Sequence, residues 1–269
     1  MSNFKIYLGG FPELNYYLLP AKSDRFCNRT EVGFAILKLK LSLNPAVRLM
    51  IFETNFIPHY QLQYNCCCSK VSAEILMRPL VGYIADAIKL LEASGQIVSL
   101  DCLALFHAVK FMAKFNLPAS VNFSAVSFAT ETVVSRVLET DLCHLVKLEL
   151  TENQDLSEEA IANIIELKGL GYSFSLDDFG TQFNGLNRLR ALPFDEVKLD
   201  IDLIKNLPDP KNTKVVKHAI ALAHDLGCTV VAEGVETQAQ IDVLCSLKCD
   251  RLQGFYLHKP TAILETFGD

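Results

Sequence analysis

The chain has 269 residues, half of them hydrophobic, and its 31 acidic side chains exceed its 25 basic ones, for a formal net charge of −6. That length suits one α/β barrel around a single substantial core, while the acidic balance argues against a DNA or RNA polymer as partner. No apolar run is long enough to cross a bilayer, since 34–43 is broken by Lys38 and Lys40, and the start lacks the pattern of a secretory signal; a cytoplasmic protein with no membrane span is expected.

Residues 1–47 read as an N-terminal extension of unknown role. Gly9, Gly10 and Pro12 punctuate it, and Leu37, Leu39, Leu41 and Leu43 alternate with polar residues. Gly9-Gly10 has no following Lys-Ser or Lys-Thr, so it is not a phosphate-cradling loop. Residues 48–265 read as one domain. Apolar runs predict strands over 57–64, 71–77, 120–123, 145–150, 173–176, 196–199, 229–232 and 251–256. Helix signals fall between them. Ser157 caps a helix with Ile161, Ile164 and Ile165 on one face, ended by Gly169 and Gly171. Val216, Ala219, Ile220 and Ala223 repeat that spacing before Gly227, and Thr237 with Gln240 has capping-box spacing.

Strands alternating with helices predict a parallel sheet, and eight of them suggest closure into a barrel, although a doubly wound open sheet would read similarly. The connection between the first two strands, Asn65–Lys70, is too short for a parallel crossover, so that pair should be antiparallel. The nine cysteines show neither a paired framework nor metal-ligand spacing; idle thiols in a reducing cytoplasm are expected, with a thiol sensor at Cys66, Cys67 and Cys68 as the sharper alternative.

Polar residues recur at matching places in these apolar strands. Glu74 lies in the second, Asn122 in the third, Glu149 in the fourth, and Asp177 and Asp178 follow the fifth. Lys198 lies in the sixth, Glu233 follows the seventh, and Gln253 lies in the eighth. A carboxylate among apolar neighbours is costly unless paired or metal-bound. In a barrel the C-terminal strand ends converge on one face, where so many carboxylates need cations. Oxygen ligands favour magnesium, manganese or calcium over zinc. Lys198 could orient a water, abstract a proton, or simply form a salt bridge to Asp200 or Asp178.

Glu74-Ile75-Leu76-Met77-Arg78 resembles the Glu-Ala-Leu-x-Arg signature of EAL domains, a family of cyclic di-GMP phosphodiesterases. Tyr60-Gln61, Ser120-Val121-Asn122, Leu148-Glu149-Leu150-Thr151-Glu152, Asp177-Asp178-Phe179-Gly180-Thr181, Lys198-Leu199-Asp200, Val231 through Glu236 and Gln253-Gly254-Phe255 continue the resemblance in order over about 48–262. It implies a modified TIM barrel with an antiparallel first strand and a metal-dependent hydrolase that opens cyclic di-GMP to linear pGpG. By that resemblance Glu74, Asn122, Glu149 and Asp177 would hold one Mg2+ or Mn2+. Asp177, Asp178 and Glu233 would serve a second ion or its waters. Lys198, Glu233 and Gln253 would handle the attacking water, and Glu152 would tether the loop after the fifth strand. Arg78 would grip a phosphate, with Leu76 and Gln61 also binding substrate. Homodimerisation is implied too. Departures are Gln182-Phe183-Asn184-Gly185 in that loop, Ile201 in place of a basic residue, Pro79-Leu80-Val81-Gly82 after Arg78, and Ile75, expected to crowd the substrate. The altered loop keeps open a catalytically silent cyclic di-GMP sensor or partner-binding regulator.

Overall fold

The computed structural model describes residues 55–263, except 132–133, 135–136, 138–145, 153 and 182–184. The extension 1–47 and the Gln182–Asn184 loop therefore lie outside the described residues.

The strands are β1 (Phe56–Tyr64), β2 (Lys70–Pro79), β3 (Ala119–Asn122), β4 (Val146–Thr151), β5 (Ser173–Phe179), β6 (Glu196–Leu199), β7 (Thr229–Ala232), β8 (Arg251–Leu252) and β9 (Thr261–Ala262). Strands β2 to β8 follow one another in parallel, and β1 closes the ring by pairing antiparallel with both β2 and β8. The result is a closed eight-stranded α/β barrel with an antiparallel first strand. β9 is an addition, pairing antiparallel with β1 through His59–Ala262 and Tyr60–Thr261.

The eighth strand is much shorter than 251–256. Gly254 explains the stop: a Cβ there would collide with the backbone of Val235, so the chain must turn against the segment after β7.

Period-two alternation sets the two faces of each strand. Outward residues are apolar and packed under helices: Ala73 and Ile75, Val121, Leu148 and Leu150, Phe174 and Leu176, Val197 and Leu199, Val230 and Ala232 are all essentially inaccessible. Each of these valine, leucine, isoleucine and phenylalanine side chains contributes about 1.5–3 kcal/mol. Ile75 belongs to this outer core, so it faces away from the mouth and does not crowd it, contrary to expectation.

Helix Ile97–Phe115 buries Leu100, Leu103, Ala104, Ala108 and Phe111 at helical spacing and ends where Asn116 turns left-handed at φ 52°. Ser157 caps Glu158–Gly169 by accepting from the Ala160 N–H, and Thr237 with Gln240 forms the capping box of Gln238–Ser246. Among the described residues no helix is long and apolar enough to cross a membrane.

The cysteines are not all idle. Barrel closure brings the β1–β2 turn against helix Gln238–Ser246, and Cys66 there forms a disulfide with Cys245, 179 residues away. Cys67 and Cys68 stay exposed and free.

Candidate active site

The inward face of every strand is polar near the mouth formed by the C-terminal strand ends. Lys198 on β6 is 1% exposed and sits among four carboxylates. Its Nζ lies 2.8 Å from Glu149 Oε2 on β4, 2.8 Å from Glu233 Oε1 after β7, 3.1 Å from Asp177 Oδ1 on β5 and 3.3 Å from Glu74 Oε2 on β2. The ion pairs expected to Asp200 or Asp178 are not the ones formed. Asp200 instead caps the next helical turn by accepting from the Asp202 N–H at 2.7 Å.

Adjacent strand residues point to opposite faces, so Asp177 and Asp178 could not both reach the mouth from a regular strand. Two features of β5 bring them together. Its register with β6 slips between Leu176 and Phe179, and Asp178 adopts the left-handed region at φ 58°. Such a conformation costs a non-glycine residue on the order of 1 kcal/mol. The outcome is a trio, Asp177, Asp178 and Glu233, whose carboxylate oxygens all lie within 4.8 Å of one another.

Hydrogen bonds fix the rest of the ring. Asn122 donates to Glu74 Oε1 at 2.8 Å, and Gln253 donates to Glu74 Oε2 at 2.6 Å and to Gln61 Oε1 at 3.2 Å. Gln61, buried level with its β2 partner Glu74, in turn donates to the His258 carbonyl and so supports Gln253. Leu76 and Arg78 share the face of Glu74 and climb toward the rim, where both are partly exposed. Glu152 is fully buried. Its carboxylate accepts from the Thr181 hydroxyl at 2.9 Å and the Gly180 N–H at 3.4 Å, which ties down the chain as it leaves β5.

One ammonium cannot balance this ring. Burial pushes Glu149 well above the carboxylate range, with Glu74 and Asp177 adding to the shift and Lys198 opposing it. Burial likewise raises Asp177, takes Glu233 up to about 8, and takes Asp178 up to about 6 with help from Asp177. Glu74 is the exception: burial opposes ionisation, but Lys198, Gln253 and Asn122 together hold it below its usual value. Burial works against charge on Lys198 as well, yet the four carboxylates raise it well above a normal lysine.

These donors fit hard divalent cations. All are oxygens, and Glu149 Oε1 is a buried acceptor with no partner among the described residues. Asp177, Asp178 and Glu233 could hold one ion, and Glu149, Glu74 and Asn122, gathered around the same Lys198, carry further oxygens suited to a cation.

Residues that were not expected lie two positions earlier on the same strands. Ser72 donates to Gln63 Oε1 at 2.6 Å, and Gln63 donates to Gln253 Oε1 at 2.8 Å. Glu196 receives Lys147 and Arg251 deeper in the barrel. The signal was available: Ser72, Lys147, Glu196 and Arg251 precede Glu74, Glu149, Lys198 and Gln253 by one full strand period.

Fold and mouth define a closed α/β barrel with a carboxylate ring suited to divalent cations at its C-terminal face. The family model described as the EAL domain matches residues 45–260, and the chain belongs to that family. It is 31% identical to the probable cyclic di-GMP phosphodiesterase PdeG of Escherichia coli K12, over 98% of this chain and 55% of that protein. It is 33% identical to the cyclic di-GMP phosphodiesterase NbdA of Pseudomonas aeruginosa, over 93% of this chain and 35% of that one. The solved structure of the PaMucR phosphodiesterase in complex with c-di-GMP superposes with a TM-score of 0.70 at 30% identity, covering 78% of this chain and 98% of that one. The chain spans between about a fifth and just over half of the curated relatives it matches.

Proposed function

We propose that this chain is a metal-dependent phosphodiesterase that opens cyclic di-GMP to linear pGpG. The observation that carries the proposal is the excess of buried carboxylate around Lys198, with Asp177, Asp178 and Glu233 drawn together at the expense of backbone strain. Such an arrangement is destabilising without cations and has no structural purpose of its own. The likeness to proteins named as cyclic di-GMP phosphodiesterases supplies the substrate.

Magnesium or manganese ions, held by Glu74, Asn122, Glu149, Asp177, Asp178 and Glu233, would acidify water and neutralise a phosphate. The protein's own side chains do the rest. Arg78 at the rim is a planar, permanently charged partner for a phosphate, and Leu76 beside it offers an apolar contact for a base. The attacking water's oxygen bonds to phosphorus as one ester P–O bond breaks. Glu233 accepts the water's proton, and the departing oxygen takes up a proton from solvent as the ester bond breaks, so that it leaves as a hydroxyl. Lys198 fixes the carboxylates through its ion pairs and stabilises charge developing on the phosphate. Gln253, braced by Gln61 and Gln63, holds Glu74.

The test is incubation with cyclic di-GMP in magnesium or manganese, with and without chelator. Cation-dependent release of pGpG is expected. Tight nucleotide binding with no turnover would replace the enzyme with a sensor, and indifference to the nucleotide would remove the substrate assignment.

A further inference from the structure

The opposite end of the barrel holds a second charged site. A cavity of about 190 Å³ opens between the N-terminal ends of the strands and is lined by Ser72, Ser120, Lys147, Ser173, Glu196 and Arg251. Glu196 is fully buried. Its Oε2 accepts from Lys147 Nζ at 2.5 Å and Arg251 Nη1 at 2.9 Å, whereas its Oε1 has no partner among the described residues. The Ser120 hydroxyl, also buried and lining the cavity, has none either. The two cations are partly exposed, their side chains 15% and 28% accessible.

We propose that this cavity binds a small carboxylate carrying a hydroxyl or ammonium group on the neighbouring carbon. The charge count selects the carboxylate: two cations face one anion, and lysine and arginine together carry more N–H donors than one glutamate can accept. The unpaired Glu196 Oε1 selects the second group. A buried acceptor left without a donor costs about 1–3 kcal/mol, and a donor on the ligand can meet it in place of water while the carboxylate lies against Lys147 and Arg251. The Ser120 hydroxyl can serve either group. Size excludes anything large, since the volume is below the roughly 300 Å³ at which drug-sized sites begin. None of the residues lining this cavity is among those that would hold metal or nucleotide at the upper mouth, so the site stands or falls independently of the nucleotide chemistry.

The test uses the full chain, isotope-labelled and stripped of divalent ions, titrated with glycolate, glycine and acetate while amide NMR shifts are followed. Glycolate or glycine should shift resonances around Ser72, Glu196 and Arg251 saturably, with acetate about five- to tenfold weaker for want of the donor. Preference for glycolate identifies a hydroxy acid, and preference for glycine an amino acid. Arg251→Gln should weaken binding at least about tenfold, while Glu233→Gln at the other mouth should leave it unchanged. Ser120→Ala guards against a misfolded charge variant: it breaks no hydrogen bond seen among the described residues and should weaken binding about threefold. Absence of saturable shifts, binding that survives Arg251→Gln, equal loss in Glu233→Gln, or acetate matching the other two would each overturn the proposal.

Discussion

The two mouths of the barrel are built from the same strands, one pleat apart, with opposite charge. At the upper mouth Lys198 is, among the described residues, the one cation that faces Glu74, Glu149, Asp177 and Glu233. At the lower mouth Glu196 is, among the described residues, the one anion that faces Lys147 and Arg251. The lower trio carries one excess positive charge and joins β4, β6 and β8 across the interior, so it helps hold the ring closed. The upper ring is over-charged and can be relieved only by protons or metal ions. A barrel position does not dictate sign; sign dictates what the position must bind. The mouths are also connected, since Arg251, Ser72, Gln63, Gln253 and Glu74 form one continuous hydrogen-bonded chain.

Glu74→Ala is the hardest test of the upper mouth. It removes a carboxylate that Asn122, Gln253 and Lys198 all hold in place. Release of pGpG should fall by about a thousandfold or more, as expected when charge stabilisation in a dry site is lost. Near-normal turnover would mean that the ring is structural and that the two mouths do not differ in kind.

Glu196→Ala attacks the lower mouth. Lys147 and Arg251 lose their shared carboxylate inside the barrel. Removing one partner of a buried ion pair costs about 3–5 kcal/mol, toward the low end here because both cations reach solvent. Urea unfolding should show the loss. A change within a few tenths of a kcal/mol would mean that the trio holds nothing together.

How much of this was visible in the sequence follows from the same geometry. The upper ring was legible because each member interrupts an apolar run or ends one, and Glu74 among Ala73, Ile75 and Leu76 has no bland surroundings. The lower trio was not, because Glu196 and Arg251 begin their strands and Lys147 comes second in its own, where polar residues are normally solvated strand ends. Only the period of two, carried back from Glu149, Lys198 and Gln253, would have exposed it. Ile75 was misjudged by ignoring that period. The Cys66–Cys245 pair could not be seen at all, since it exists only once closure sets the first turn against the last helix. The shortness of β8 depends on the approach of Gly254 to Val235, again a contact across the closed ring.

Asp101 supplies the missing control, a buried carboxylate with no cation beside it among the described residues. Its Oδ2 accepts from the Ser127 hydroxyl at 2.5 Å and the Ser124 N–H at 2.8 Å, outside the barrel on helix Ile97–Phe115. Burial pushes it up to about 7 against these two bonds. An unfolded aspartate titrates near 3.9, so between roughly pH 4 and 7 the folded state binds the extra proton. Its contribution to stability is therefore complete below that window and lost as pH rises through it, by at most about 1.4 kcal/mol per unit. Asp101→Asn should flatten this part of the pH profile of urea unfolding relative to wild type. Superimposable profiles would show that hydrogen bonds alone offset burial, and would weaken the case that the upper ring needs cations.

Asp178→Asn gives the smallest shift and the most direct contrast. Asparagine keeps the size of the side chain and tolerates the left-handed backbone that Asp178 adopts at φ 58°. It removes one negative charge from beside Asp177 and Glu233. In the lower mouth, losing a carboxylate destabilises; here the metal-free protein should gain on the order of 1 kcal/mol, reduced from a larger Coulomb effect because Asp178 is partly solvated. The same variant should bind manganese more weakly, since an anionic ligand is gone. Thermal melts in chelator and in manganese separate the two effects: a higher midpoint in chelator with a smaller rise on adding the ion is the expected pair. A lower midpoint in chelator would show that Asp178 stabilises the fold as Glu196 does, and the contrast between the two ends of the barrel would no longer be one of function against structure.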